Sequence, residues 1–160
     1  MGMDESEKPA WATRGESSSR ATPPQRRILI VDSQPLVRRG LIALIDHEPD
    51  LTVCAAAATR RAGLEAIASS QADLVVTELS FEDGDGLDLV ENIRSSDEDL
   101  PVLVFSMHDA PRHTRRAFRA GALGYVSKQE TGETLLVAIR CVLGGEKYVS
   151  PKLRVGLDHP

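Results

Sequence analysis

Aromatic residues are scarce: three Phe, two Tyr and one Trp make up 4% of 160 residues. A core must therefore be filled by Leu, Ile, Val and Ala, and no stacking platform for single-stranded nucleic acid is evident. Positive charge is also short, with 19 Lys and Arg against 24 Asp and Glu, a net charge of −5. A nucleic-acid surface would need a concentrated basic face, so this balance argues against one. No apolar run approaches the ~20 residues of a membrane span, and neither a span nor a secretory signal is expected. Only two cysteines occur, Cys54 and Cys141, both inside apolar segments. That usage predicts buried thiols in the cytoplasm rather than a disulfide. What is abundant is ordinary for a folded domain: 41% apolar and 27% charged residues, enough for one core.

Residues 1–25 are rich in Ser, Glu, Arg, Pro and Thr without apolar periodicity. Such a composition buries too little to offset ordering and predicts a disordered tail. From Arg26 an alternation begins. Short Val- and Ile-rich runs predict buried parallel strands at Ile28–Val31, Leu51–Ala55, Leu74–Thr77, Val102–Phe105 and Gly124–Val126. Helical periodicity predicts helices over Pro35–Ile45, Arg60–Ser69, Leu87–Arg94, His113–Ala120 and Thr131–Leu143. In the first, Leu36, Gly40, Leu41, Leu44 and Ile45 are expected to share the core face, with Arg38, Arg39 and Asp46 pointing away. Residues 26–150 form the predicted domain, and 151–160 a C-terminal tail without a DNA-binding domain.

Five strand–helix units in strict alternation imply a doubly wound (βα)5 parallel sheet, because each crossover is right-handed. The expected strand order is 2-1-3-4-5, which sets a functional crevice at the carboxyl ends of strands one and three. Strand one ends in Asp32 and Ser33, strand three in Glu78, strand four in Ser106 and strand five in Lys128. Each residue alone has a bland reading as a cap or a solvated charge. Two carboxylates, a hydroxyl and an ammonium at successive strand ends are harder to explain that way.

These strand ends lie within longer recognisable stretches. Ile28-Leu29-Ile30-Val31-Asp32-Ser33-Gln34-Pro35, Pro101-Val102-Leu103-Val104-Phe105-Ser106-Met107-His108 and Ala120-Gly121-Ala122-Leu123-Gly124-Tyr125-Val126-Ser127-Lys128 together resemble a response-regulator receiver domain. The class is the one usually fused to a LuxR-type helix-turn-helix. The resemblance implies the flavodoxin-like fold and a two-component signalling role. It sets Asp32 and Ser33 at the acidic pocket, Glu78 at the phosphoacceptor position, and Ser106, Tyr125 and Lys128 at the switch and phosphoryl-binding positions. Receivers normally carry two acidic residues after strand one and an aspartate after strand three, and the three carboxylates hold Mg²⁺. Here Ser33 and Glu78 depart from that pattern.

The Ser33 departure removes a hard anionic oxygen, so Asp32, Glu78 and the carbonyl of Ser80 are expected to hold Mg²⁺ weakly or not at all. Glu78 keeps the charge but extends its stem by one bond, about 1.5 Å, and misplacements of roughly 1 Å cost on the order of 100-fold in a positioned reaction. The extension also brings Glu78 within reach of Lys128 and Ser106, a contact that would imitate a phosphoryl group in part. Permanently active and permanently inert states both stand open, the former favoured. The expectation is thus a pseudo-receiver, not an enzyme. It would signal through the face of helix four, strand five and helix five to a protein partner or a second copy, with a histidine kinase as a further candidate. The alternative is a phosphorylation-competent receiver in a phosphorelay regulating transcription. A third class, a flavin-binding protein or small α/β enzyme, lacks support, since Ser33-Gln34-Pro35 offers no phosphate cradle. His47, His108 and His113 read as loop or helix surface. The run Arg112, His113, Arg115, Arg116 and Arg119 reads as a solvated face or a dock for an acidic protein.

Overall fold

The structure, a computed structural model, describes residues 24–157. The chain runs β1 (Arg26–Val31), α1 (Pro35–Asp46), β2 (Leu51–Ala57), α2 (Arg60–Ser70) and β3 (Leu74–Thr77). A small hairpin follows, β4 (Ser80–Phe81) and β5 (Gly84–Asp85), then α3 (Gly86–Ser96), β6 (Val102–Ser106), α4 (Pro111–Ala120), β7 (Gly124–Ser127) and α5 (Gly132–Leu143). Two short elements close it, β8 (Tyr148–Val149) and α6 (Pro151–Arg154). Among the described residues no helix is long and apolar enough to cross a membrane.

The main sheet is parallel with order β2-β1-β3-β6-β7-β8. The five predicted strands are β1, β2, β3, β6 and β7, so the expected 2-1-3-4-5 order holds, and β8 adds a sixth strand at the edge. Successive strand residues face opposite sides of a sheet, and two apolar layers result. Leu29, Val31, Val75, Val102 and Val104 pack with Leu89, Val90 and Ile93 of α3 and Ala117 of α4. Ile28, Ile30, Val76, Leu103 and Val126 pack with Leu41 and Ile45 of α1 and Leu135, Ile139 and Val142 of α5. Burial on both faces explains why these strands read as continuous apolar runs rather than as alternations.

The helices begin where local chemistry dictates. Pro35 and Pro111 open α1 and α4, as suits a residue with no N–H to lose. Side chains of Thr59, Asp85 and Thr131 accept N–H groups of Ala62, Leu87 and Thr134 to cap α2, α3 and α5.

Four expectations are revised. Leu36 is 81% exposed: it lies five residues before Leu41, about 140° round the helix at 3.6 residues per turn, and so misses the face that Leu41 and Ile45 define. Arg38, expected to point away, turns back toward the sheet. Cys54 and Cys141 are free and half-buried, not buried. Residues after Pro151 do not all trail away: α6 inserts Leu153 into the core at 5% exposure. A one-turn helix is too short for periodicity to reveal. The N-terminal tail lies outside the described residues up to position 23, although Gln25 already donates its amide to the carbonyls of Pro49 and Leu51 at 3.3 Å.

Candidate functional site

The carboxyl ends of β1, β3, β6 and β7 bring Asp32, Glu78, Ser106 and Lys128 to one crevice, as the strand ends predict. Backbone bonds fix their placement: Asp32 N–H donates to Ala57 O at 3.0 Å, Glu78 N–H to Val31 O at 3.0 Å, and Lys128 N–H to Ser106 O at 2.8 Å. Gly86 lets α3 start directly against this rim, since a Cβ there would lie 2.3 Å from the carbonyl oxygen of Glu78.

Lys128 is the centre of the crevice. Its Nζ lies 2.8 Å from Asp32 Oδ2 and 2.5 Å from Glu78 Oε2, with the three side chains 6%, 2% and 9% exposed. The other two carboxylate oxygens are engaged as well: Asp32 Oδ1 accepts the Gln34 N–H at 2.9 Å, and Glu78 Oε1 accepts the Leu79 N–H at 2.6 Å. Buried carboxylates need such partners, because an unpaired buried charge is costly. Two carboxylates against one ammonium leave the crevice one negative charge in excess.

Ser106 and Tyr125 form a second chain of contacts. Ser106 and Tyr125 are fully buried. Ser106 Oγ accepts the His108 N–H at 3.1 Å, and the Tyr125 hydroxyl donates to the His108 carbonyl at 2.5 Å. Burial pushes the Tyr125 hydroxyl up to about 12; its contact with Ser106 acts the other way, and the charges of Glu78 and Asp109 add to the rise. Ser106 therefore serves the Tyr125 side of the crevice, while Glu78 is held by Lys128.

The carboxylate oxygens expected to meet Mg²⁺ are engaged within the protein. That ion asks for near-octahedral oxygen donors with one or two carboxylates free to bind it. Here all four oxygens of Asp32 and Glu78 already have donors, and the ammonium lies between the two groups. Ser33 is half-buried and supplies a hydroxyl. Ser80 is exposed, its backbone in register with Asp85 across the β4–β5 hairpin and its Oγ 2.9 Å from His108 Nε2. Among the described residues no group of three or more His, Cys, Asp or Glu is placed to hold a metal.

Sequence reasoning missed several participants. Arg38 donates to the backbone carbonyl of Asp32 at 2.6 Å, and Gln34 Oε1 lies 3.5 Å from Lys128 Nζ. His108, read as loop or helix surface, supplies the backbone N–H and carbonyl that bond Ser106 and Tyr125. Its ring packs on that of His113, centroids 4.8 Å apart, and His113 is half-buried. Ser150 donates its N–H to Tyr125 O at 3.1 Å and accepts the Ser127 N–H at 3.0 Å, tying the chain after α5 to β7. Only for Arg38 was there a signal, an arginine one turn into a helix that starts beside a strand end.

The chain matches the family model described as response regulator receiver domain over residues 28–140. It is 30% identical over 132 residues to the oxygen regulatory protein NreC of Staphylococcus epidermidis, covering 82% of this chain and 61% of that protein. NreC of Staphylococcus aureus strain JH9 is 32% identical over the same length and coverage. The chain thus spans about three fifths of the length of these curated relatives. Among solved structures, a LuxR-family two-component response regulator from Aurantimonas sp. SI85-9A1 superposes with a TM-score of 0.80 at 32% identity, covering 84% of this chain and 96% of that one. The isolated REC domain of RcsB from Salmonella enterica serovar Typhimurium, with the phosphomimetic BeF3−, gives 0.77 at 21% identity over 84% and 100% of the two chains, a likeness of fold. With its five-unit parallel sheet and its crevice of Asp32, Glu78, Ser106 and Lys128, this chain belongs to the response regulator receiver domain family.

Proposed function

We propose that this chain is a pseudo-receiver: a cytoplasmic signalling module that acts by protein contact through α4, β7 and α5, without ordinary aspartyl phosphorylation and without catalytic turnover. The observation that carries the reading is the Lys128 clamp on Glu78 and Asp32. A phosphoacceptor needs a carboxylate oxygen free to attack and a metal to neutralise the incoming phosphoryl oxygens. Both Glu78 oxygens are engaged, and the donor set for Mg²⁺ is short by the carboxylate that Ser33 replaces. The Glu78–Lys128 pair instead stands in, with one charge, for the contact a phosphoryl group would make. With Tyr125 turned inward and bonded to His108, this favours a crevice held in one arrangement that a protein partner or a second copy reads.

The test is intact mass after incubation with Mg²⁺ and a small phosphoryl donor, beside the double variant S33D/E78D. A phosphoryl gain in the double variant alone supports the reading. Phosphoryl uptake by the wild type overturns it in favour of a phosphorylation-competent receiver in a kinase relay regulating transcription.

A further inference from the structure

Next to the crevice, but outside it, a cleft of about 350 Å³ opens between the β4–β5 hairpin and α4. Its polar lining is Ser80, Asp85, His108, His113 and Arg116. Four of these offer hydrogen-bond donors, and three are imidazole or guanidinium groups. The formal charges there are the Arg116 guanidinium and the Asp85 carboxylate, beside two imidazoles. Burial first, then His108, Arg112 and Arg116, hold the His113 imidazole below its ordinary value, and Asp85 alone acts the other way. Asp85 does not neutralise Arg116 closely. Their contact is 3.9 Å between groups 57% and 49% exposed, a geometry worth little in water. The Arg116 guanidinium is therefore available to a better acceptor, and a planar fork beside two imidazoles suits an anion with several oxygens.

The cleft also touches the switch. His108, whose ring lies on the cleft, gives its backbone N–H to Ser106 Oγ and its carbonyl to the Tyr125 hydroxyl. Its ring is held to the loop after β3 by Ser80 Oγ at 2.9 Å. A group that draws the His108 ring and Arg116 together would act on the one residue whose two flanking peptides bond Ser106 and Tyr125.

We propose that this cleft is a binding site for a small, multiply charged oxyanion, gripped by Arg116, His113 and the hydrogen-bonded Ser80–His108 pair, and that its occupancy is read by Ser106 and Tyr125 through the backbone of His108. The site is separate from the Asp32–Glu78–Lys128 crevice and forms no covalent bond. It gives a receiver whose phosphoacceptor position is altered a non-covalent route of input. The inference does not depend on whether Glu78 accepts a phosphoryl group.

The experiment titrates the full chain with inorganic phosphate in the absence of Mg²⁺ and of any phosphoryl donor. Imidazole and Tyr125 ring resonances are followed by NMR at fixed pH, with sodium chloride at matched ionic strength as the second arm. The expected result is saturable movement of the His108, His113 and Tyr125 signals with phosphate and little movement with chloride. Arg116→Gln at an exposed position and His113→Gln at a half-buried one should each weaken binding about tenfold, the loss of one charge-assisted contact. Far-UV circular dichroism checks that both variants stay folded. Equal responses to chloride and phosphate, unchanged affinity in both folded variants, or movement confined to residues around Lys128 would each overturn the proposal. Intact mass stays unmodified throughout, so failure here is distinct from failure of the pseudo-receiver reading.

Discussion

Replacing Lys128 with Met keeps the length of the stem and removes the ammonium that pairs with Asp32 and Glu78. At an effective dielectric of about 20, each of its contacts contributes roughly 6 kcal/mol of attraction. Desolvation costs several kcal/mol for each of the three ions, so the net worth of the triad is small. Truncation is a different quantity. It leaves Asp32 at 2% and Glu78 at 7% exposure as two like charges with no counterion, and breaking a buried pair this way costs about 3–5 kcal/mol. Against a total stability on the order of 5–15 kcal/mol, Lys128→Met should be severely destabilised. Glu78→Gln leaves Lys128 paired with Asp32, 2.8 Å away, and should cost about 1–2 kcal/mol. In the double variant one of the stranded charges is gone, so its loss should fall short of the sum by at least about 1 kcal/mol. Urea unfolding of the four proteins at neutral pH, followed by far-UV circular dichroism, measures all three numbers. A Lys128→Met protein within about 1 kcal/mol of wild type, or strict additivity, would refute the account of a buried, mutually dependent triad.

Three further outcomes are expected. Gly86→Ala forces a Cβ to 2.3 Å from the Glu78 carbonyl oxygen, and the required backbone shift should lower the urea midpoint by about 1–3 kcal/mol equivalent. Tyr125→Phe loses the hydroxyl bond to His108 and about 1 kcal/mol. Because the Tyr125 hydroxyl is raised from 10.0 to about 12, its protonated form favours the fold below the lower value. Wild-type stability should therefore fall as pH rises between the two, a loss that Tyr125→Phe escapes. The His113 imidazole is depressed below 6.5, so the unfolded chain takes up its proton first. Stability should decline as pH falls below about 6.5, and His113→Gln should flatten that decline in thermal melts while leaving the more acidic carboxylate-driven loss in place.

The sequence by itself determined the alternation of strands and helices, and with it the sheet order and the edge at which function would lie. Buried parallel strands leave runs such as Ile28–Val31 and Leu74–Thr77, and handed crossovers allow few ways to join them. It also determined which side chains stand at the strand ends, since Asp32, Glu78, Ser106 and Lys128 follow those runs directly. Only the tertiary structure decided how they pair. That Glu78 is bound by Lys128 and Leu79, while Ser106 belongs to His108 and Tyr125, depends on the relative placement of four strands distant in sequence. The same holds for Arg38, which sequence periodicity put in solvent and which the nearby end of β1 recruits as a donor to Asp32. β8 and α6 escaped for a different reason. Periodicity needs several turns or several strand residues to register, and one helical turn or two strand residues find their place only by what they pack against. Of the cleft of Ser80, His108, His113 and Arg116, the sequence showed only the basic run that holds His113 and Arg116, because the donors come from a hairpin, a loop and a helix that only the folded chain brings together.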